Sequence, residues 1–192
     1  MKIIVLTAVS ILLSLSLSAQ LIVHEEQTVL KTPSGNIYGT LKIPTSKEPI
    51  PIALLIAGSG PTDRNGNQPN MQNNSLKMIG DALFYKGVAT LSFDKRGIGE
   101  SKDNTKKEED LRFEDYVNDV RLWIDQLSQD QRFSDIIVIG HSEGSLIGMI
   151  ASKNNPKVTK YISIAGVGET AGNILKGQLE KQLAGQPQTV KD

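Results

Sequence analysis

The hydrophobic positions along the chain change period several times, and each change marks an element. Gln27 to Lys31 and Ile37 to Ile43 alternate around Pro33-Ser34-Gly35-Asn36, residues that supply the fixed and positive φ values of a turn, so an opening β-hairpin is predicted. Pro51 to Ala57 is a continuous apolar run ending in Gly58-Ser59-Gly60, as expected of a strand buried on both faces. After a loop rich in Gly, Asn and Pro, Asn74 or Ser75 can cap a helix carrying Leu76, Ile79 and Leu83, and Gly87 can end it. Val88 to Phe93 predicts another buried strand. Phe113, Tyr116, Val117, Val120, Ile124 and Leu127 recur at steps of three and four, which gives a helix with one apolar face. Trp123 lies beside that stripe and suits core packing better than a ligand platform. Ile136 to Ile139 predicts a strand, Ser142 to Asn154 a helix stopped before Pro156, and Val158 to Ala165 a final strand. Beyond Val167, Ile174, Leu175, Leu179 and Leu183 suggest one more amphipathic helix.

Strand and helix therefore alternate after the hairpin. The predicted class is α/β, a mostly parallel sheet with right-handed crossovers and helices on both faces. Lys102 to Asp110 is a charge run of both signs and reads as a solvated loop.

Ahead of these elements, Met1-Lys2, an apolar run from Ile3 to Leu17 and the small residues Ser18-Ala19 have the order of a secretory signal peptide. The run is shorter than the roughly 20 residues that span a bilayer. Residues 1–19 are expected to be removed, giving an exported protein, periplasmic or extracellular, with no stable membrane anchor after cleavage. The 192 residues hold 21 Lys and Arg against 21 Asp and Glu, with no cysteine. That balance, without basic clusters, offers little attraction for nucleic acid, and the absence of cysteine removes disulfide scaffolds and thiolate metal sites. Only His24 and His141 could serve as imidazole ligands, so no metal site is expected.

In doubly wound sheets, ligands gather beyond the carboxyl ends of strands. Gly140-His141-Ser142-Glu143-Gly144 occupies such a place and matches G-x-S-x-G between strand and helix. The small residues two places either side of Ser142 let the chain turn through a strained position and project the hydroxyl. The plainer reading of the same residues is a glycine-rich turn with an N-cap serine. If Ser142 is a nucleophile, oxyanion donors would be the N–H of Glu143 and an N–H from the loop after the first parallel strand, preferably Ser59. That loop could equally be a simple turn.

Three segments, Ile56 to Asn67, Ser92 to Ser101 and Gly140 to Gly144, together resemble α/β-hydrolases. More narrowly, they are similar to the EstD-type bacterial carboxylesterases, close to the family named for serine aminopeptidases. The resemblance spans about Gln27 to Val167. It implies catalytic Ser142, oxyanion donors at Ser59 and Glu143, no cofactor, a small-molecule ester substrate, and an architectural role for Asp94, Arg96 and Gly97. Asp63 and Arg64 would orient the oxyanion loop through an internal ion pair or border the acyl pocket.

The fold uses the chain order Ser, then Asp or Glu, then His, and residues 143–192 contain no histidine. His141 stands on a strand-like backbone and is expected to point to the opposite side of the elbow; His24 is expected to be solvated. The expectation is therefore residues 20–167 as the N-terminal part of an α/β-hydrolase domain whose C-terminal strands are missing, and residues 168–192 as the start of a lid insertion. The expected function is hydrolysis of carboxylic esters through an acyl-enzyme, with an aminopeptidase or amidase on the same fold as the alternative. A noncatalytic, degenerate binding protein, or a site completed by a second polypeptide, also fits the missing histidine.

Overall fold

The computed structural model describes residues 24–102, 108–166 and 168–184. The expected signal peptide, residues 1–19, and most of the charged loop, residues 103–107, lie outside the described residues. Strands β1 (His24–Thr32) and β2 (Gly35–Ile43) form the opening hairpin, with Thr32 opposite Gly35 across the turn Pro33-Ser34. Gly35 takes φ 124°, which favours a residue without Cβ. β1 starts earlier than its apolar pattern suggests, because His24, Glu25 and Glu26 pair with Ile43, Lys42 and Leu41 through the backbone while remaining largely solvated.

The sheet continues with β3 (Ile50–Ile56), β4 (Ala89–Phe93), β5 (Phe133–His141) and β6 (Val158–Ile164). Its order is β1-β2-β4-β3-β5-β6. The pairs β3–β4, β3–β5 and β5–β6 are parallel, and β2 joins β4 antiparallel. This is the mostly parallel sheet that the alternation predicts.

The continuous apolar run of β3 is explained by burial on both faces. Ile52, Leu54 and Ile56 join the larger core, while Ala53 and Leu55 join a smaller cluster containing Ile79 and Leu83 of α1 (Ser75–Phe84). The larger core takes Val117, Val120, Ile124 and Leu127 from α2 (Phe113–Ser128) and Ile147 and Ala151 from α3 (Glu143–Ser152). Each fully buried Leu or Ile stabilises the fold by about 1.5–3 kcal/mol. Trp123 is fully buried beside Phe93, with ring centroids 5.9 Å apart, so the apolar stripe of α2 is wider than its three-and-four spacing suggests.

The last segment forms the expected helix, α4 (Ala171–Leu183), capped by the Thr170 hydroxyl, which accepts from the Asn173 N–H at 3.4 Å. Its Leu175 and Leu179 are 59% and 56% exposed. Among the described residues, no helix is long and apolar enough to cross a membrane.

Candidate active site

From β3 the chain crosses to β4 on one side, and from β5 it crosses to β6 on the other. The adjacent strands β3 and β5 therefore flank the point where the winding reverses, which is where a doubly wound sheet opens a crevice at its carboxyl end. Gly58, Ser59 and Thr62 from the loop after β3, with His141 and Ser142 from the end of β5, line a pocket of about 120 Å³ there.

Ser142 occupies φ 53°, ψ −119° between β5 and α3. A non-glycine residue held in such a region costs on the order of 1–3 kcal/mol, and the surrounding backbone must hold it. The Ser142 N–H donates to the Ile164 carbonyl at 2.9 Å, and the Ser142 carbonyl accepts from the Ser145 N–H at 3.0 Å. The two glycines are required by space. A Cβ on Gly140 would collide with the Gly144 carbonyl, and one on Gly144 would sit 2.5 Å from the carbonyl oxygens of both Ile56 and Ala57. Gly144→Ala is therefore expected to destabilise the protein by about 1–3 kcal/mol, because those oxygens belong to the end of β3 and cannot yield as a flexible side chain does. Urea unfolding checks this; an unchanged midpoint would mean that β3 and α3 separate easily.

Although Ser142 stands at the N-cap position of α3, its side chain makes no cap hydrogen bond. The plainer N-cap reading therefore loses its physical basis, and among the described residues the hydroxyl has no hydrogen-bond partner.

The loop after β3 is braced from within. The Thr62 hydroxyl donates to the Ser59 carbonyl at 2.8 Å, the Thr62 N–H donates to the Gly60 carbonyl at 2.8 Å, and the Gln68 side-chain amide donates to the Thr62 hydroxyl at 2.9 Å. Gly58 approaches the elbow so closely that a Cβ there would lie 3.2 Å from His141 Nδ1 and 3.3 Å from Ser142 Cβ. Ser59, Ser142 and Glu143 are thus brought to one place. Among the described residues, neither the Ser59 nor the Glu143 N–H has an acceptor. The Glu143 N–H opens α3, where the helix dipole also favours negative charge.

His141 does not point away from the elbow as expected: it is exposed and lines the same pocket as Ser142. Strict alternation holds only for extended backbone, and the positive φ at Ser142 breaks it. His24 is exposed on the edge strand β1, 2.9 Å from a Glu26 carboxylate oxygen and about 19 Å from β5 by strand spacing alone.

Of the two alternatives for Asp63 and Arg64, an ion pair between the two is not formed. Asp63 accepts the N–H groups of Asn65 and Asn67, both at 2.8 Å, which folds the loop locally. Arg64 reaches Asp94 at 2.7 Å and Glu100 at 2.6 Å, while Asp94 also accepts the Arg64 N–H at 2.8 Å and the Glu100 N–H at 3.0 Å. The loops after β3 and β4 are joined by the buried Arg64–Asp94 pair, with Glu100 reaching Arg64 from the surface.

Lys95, which the sequence reading passed over, is 5% exposed. Its Nζ donates to the Gly58 carbonyl at 2.5 Å, lies 3.8 Å from a Glu143 carboxylate oxygen and stands 5.7 Å above the Tyr116 ring. Burial pushes its ammonium below the usual lysine range, with the Glu143 charge opposing that fall. Its place in a loop at a strand's carboxyl end was the available signal.

Comparison with known proteins agrees with the fold. The curated relative EstD, an esterase of Thermotoga maritima, is 27% identical over 147 residues, covering 76% of this chain and 34% of that protein. The chain thus spans about a third of that relative's length. Among solved structures, the α/β-hydrolase GrgF from Penicillium sp. superposes with a TM-score of 0.64 at 18% identity, over 84% of this chain and 52% of that one. Est1E from Butyrivibrio proteoclasticus, solved with ferulic acid bound, gives 0.56 at 21% identity, over 70% and 50%. The family profile described as "Serine aminopeptidase, S33" matches residues 71–185, which takes in the elbow and both flanking crossovers. The chain has the α/β-hydrolase fold and belongs to the serine aminopeptidase family.

Proposed function

We propose that this protein hydrolyses carboxylic esters through an acyl-enzyme on Ser142. The observation that carries this reading is the serine itself: held at positive φ between strand and helix, its hydroxyl engaged in no cap, and lining one pocket with Gly58 and Ser59. In the reaction, Ser142 Oγ attacks the ester carbonyl carbon while its proton passes to a base. The N–H groups of Ser59 and Glu143 stabilise the oxyanion, and the alcohol departs with the proton from the base. Water then attacks the acyl group by the same route in reverse and frees Ser142.

The reading requires a histidine base from protein outside residues 143–192, which hold no histidine, and a carboxylate to orient it. It also takes residues 1–19 as an export leader and the segment from residue 168 as the start of a lid. The similarity to EstD supports an ester substrate. The second reading is cleavage of an amide bond as an aminopeptidase, which the family profile favours and the shared tetrahedral intermediate allows.

The test uses the whole reading frame that contains these residues, assayed on p-nitrophenyl acetate and on alanine p-nitroanilide. Release of p-nitrophenol far faster than p-nitroaniline supports the esterase; the reverse ranking supports the aminopeptidase, and no release of either contradicts both. Residues 20–192 alone are expected to reach at most roughly 10³–10⁴-fold over the uncatalysed rate, what an oxyanion site and binding supply without a triad. Turnover by that piece at the rate of an ordinary esterase would place the base within it.

A further inference from the structure

We propose that Lys95 is a positioning residue for the oxyanion site, its ammonium holding the Gly58–Ser59 peptide and the start of α3 in the orientation that presents their N–H groups. The proposal rests on the reading of Ser142 as nucleophile. Lys95 lies on the loop after β4, yet its Nζ reaches the loop after β3 at the Gly58 carbonyl, 2.5 Å away, and α3 at Glu143, 3.8 Å away. These are the two segments that bear the donors. All peptide bonds among the described residues are trans, so the Gly58 carbonyl and the Ser59 N–H of one peptide plane point in opposite directions. Drawing the carbonyl toward the ammonium turns the Ser59 N–H away from it.

A bond from a charged donor is roughly twice as strong as a neutral one, and in a buried setting it polarises the peptide it meets. Pulling electron density toward the Gly58 oxygen makes the Ser59 N–H a better donor to a developing oxyanion. The surroundings of Lys95 are not those of a stability device. A buried ammonium facing one carbonyl, a carboxylate beyond hydrogen-bond distance and an aromatic ring is often no more stable than a well-packed apolar side chain of similar volume. Its burial is explained by what it does to the Gly58–Ser59 peptide.

The test compares the full-reading-frame protein with Lys95→Met and Lys95→Arg, measuring kcat and KM on p-nitrophenyl acetate at temperatures where each is folded. Lys95→Met is expected to lower kcat about tenfold to a hundredfold with KM nearly unchanged, less than the roughly 100- to 1,000-fold that deleting a donor costs. Lys95→Arg is expected to recover part of the loss. A second measurement needs no substitution: NMR of the labelled protein should show a scalar coupling across the hydrogen bond between Lys95 Nζ and the Gly58 carbonyl carbon, and Ser59 amide resonances that move in Lys95→Met. Unchanged kcat in the folded Met variant, or no Lys95–Gly58 coupling in the unsubstituted protein, overturns the proposal. Failure of Ser142 itself to react would instead remove the reading beneath it, and the NMR readout does not depend on Ser142.

Discussion

Ser142→Ala in the full-reading-frame protein is expected to lower the turnover of p-nitrophenyl acetate by on the order of a million-fold, the cost seen when a triad nucleophile is removed. The fold should be preserved. The main-chain hydrogen bonds of Ser142 to Ile164 and Ser145 do not involve its side chain, and among the described residues the hydroxyl bonds to nothing that alanine would orphan. Alanine at φ 53° meets the same backbone strain as serine, so little stability should be gained or lost. The assay belongs beside a thermal melt of both proteins. A folded alanine variant that retained most of the turnover would take Ser142 out of the chemistry.

The second large effect concerns the loop after β4. Arg96 donates through Nε at 2.6 Å and Nη2 at 2.5 Å to the Asp119 carboxylate on α2, and it also reaches Ser34 and Thr32 at the hairpin turn. Arg96 is thus the joint between the hairpin, β4 and α2, as the resemblance implied for an architectural residue. Both partners are buried. Asp119→Ala removes the carboxylate that pairs with Arg96 at two nitrogens, and removing one partner of a buried pair costs about 3–5 kcal/mol. Urea denaturation should show the midpoint falling accordingly, with Asp119→Asn intermediate because the amide oxygen still accepts. A loss under about 1 kcal/mol for Asp119→Ala would show that water reaches Arg96 readily and that the joint is not structural.

What the sequence made legible follows from how each element is buried. β3 is covered on both faces and leaves a continuous apolar run, and α2 is covered on one side and leaves a stripe; both patterns are local and readable. The elbow was legible for a stronger reason: Gly140 and Gly144 are spaced by a steric demand that only small residues meet. The first residues of β1 were not, because backbone pairing with β2 holds a polar stretch that buries little. Nor were the pairs Arg64–Asp94, Arg96–Asp119 and Lys95–Gly58. Arg64–Asp94 and Lys95–Gly58 join separate crossovers and Arg96–Asp119 joins a loop to the helix that follows it, and spacing along the chain carries no record of which of these ends meet. His141 was misjudged because a period-two argument was carried past the residue where the backbone ceases to be extended.

The central claim is that Ser142 accepts the acyl group, and covalent capture tests it most directly. A fluorophosphonate gives a stable adduct when a serine oxygen attacks phosphorus and fluoride departs. Digestion and mass spectrometry of the treated full-reading-frame protein should find one adduct, on the peptide containing Ser142, and none in Ser142→Ala. An adduct on another residue, or no adduct at saturating reagent on a protein shown to be folded, would contradict the account.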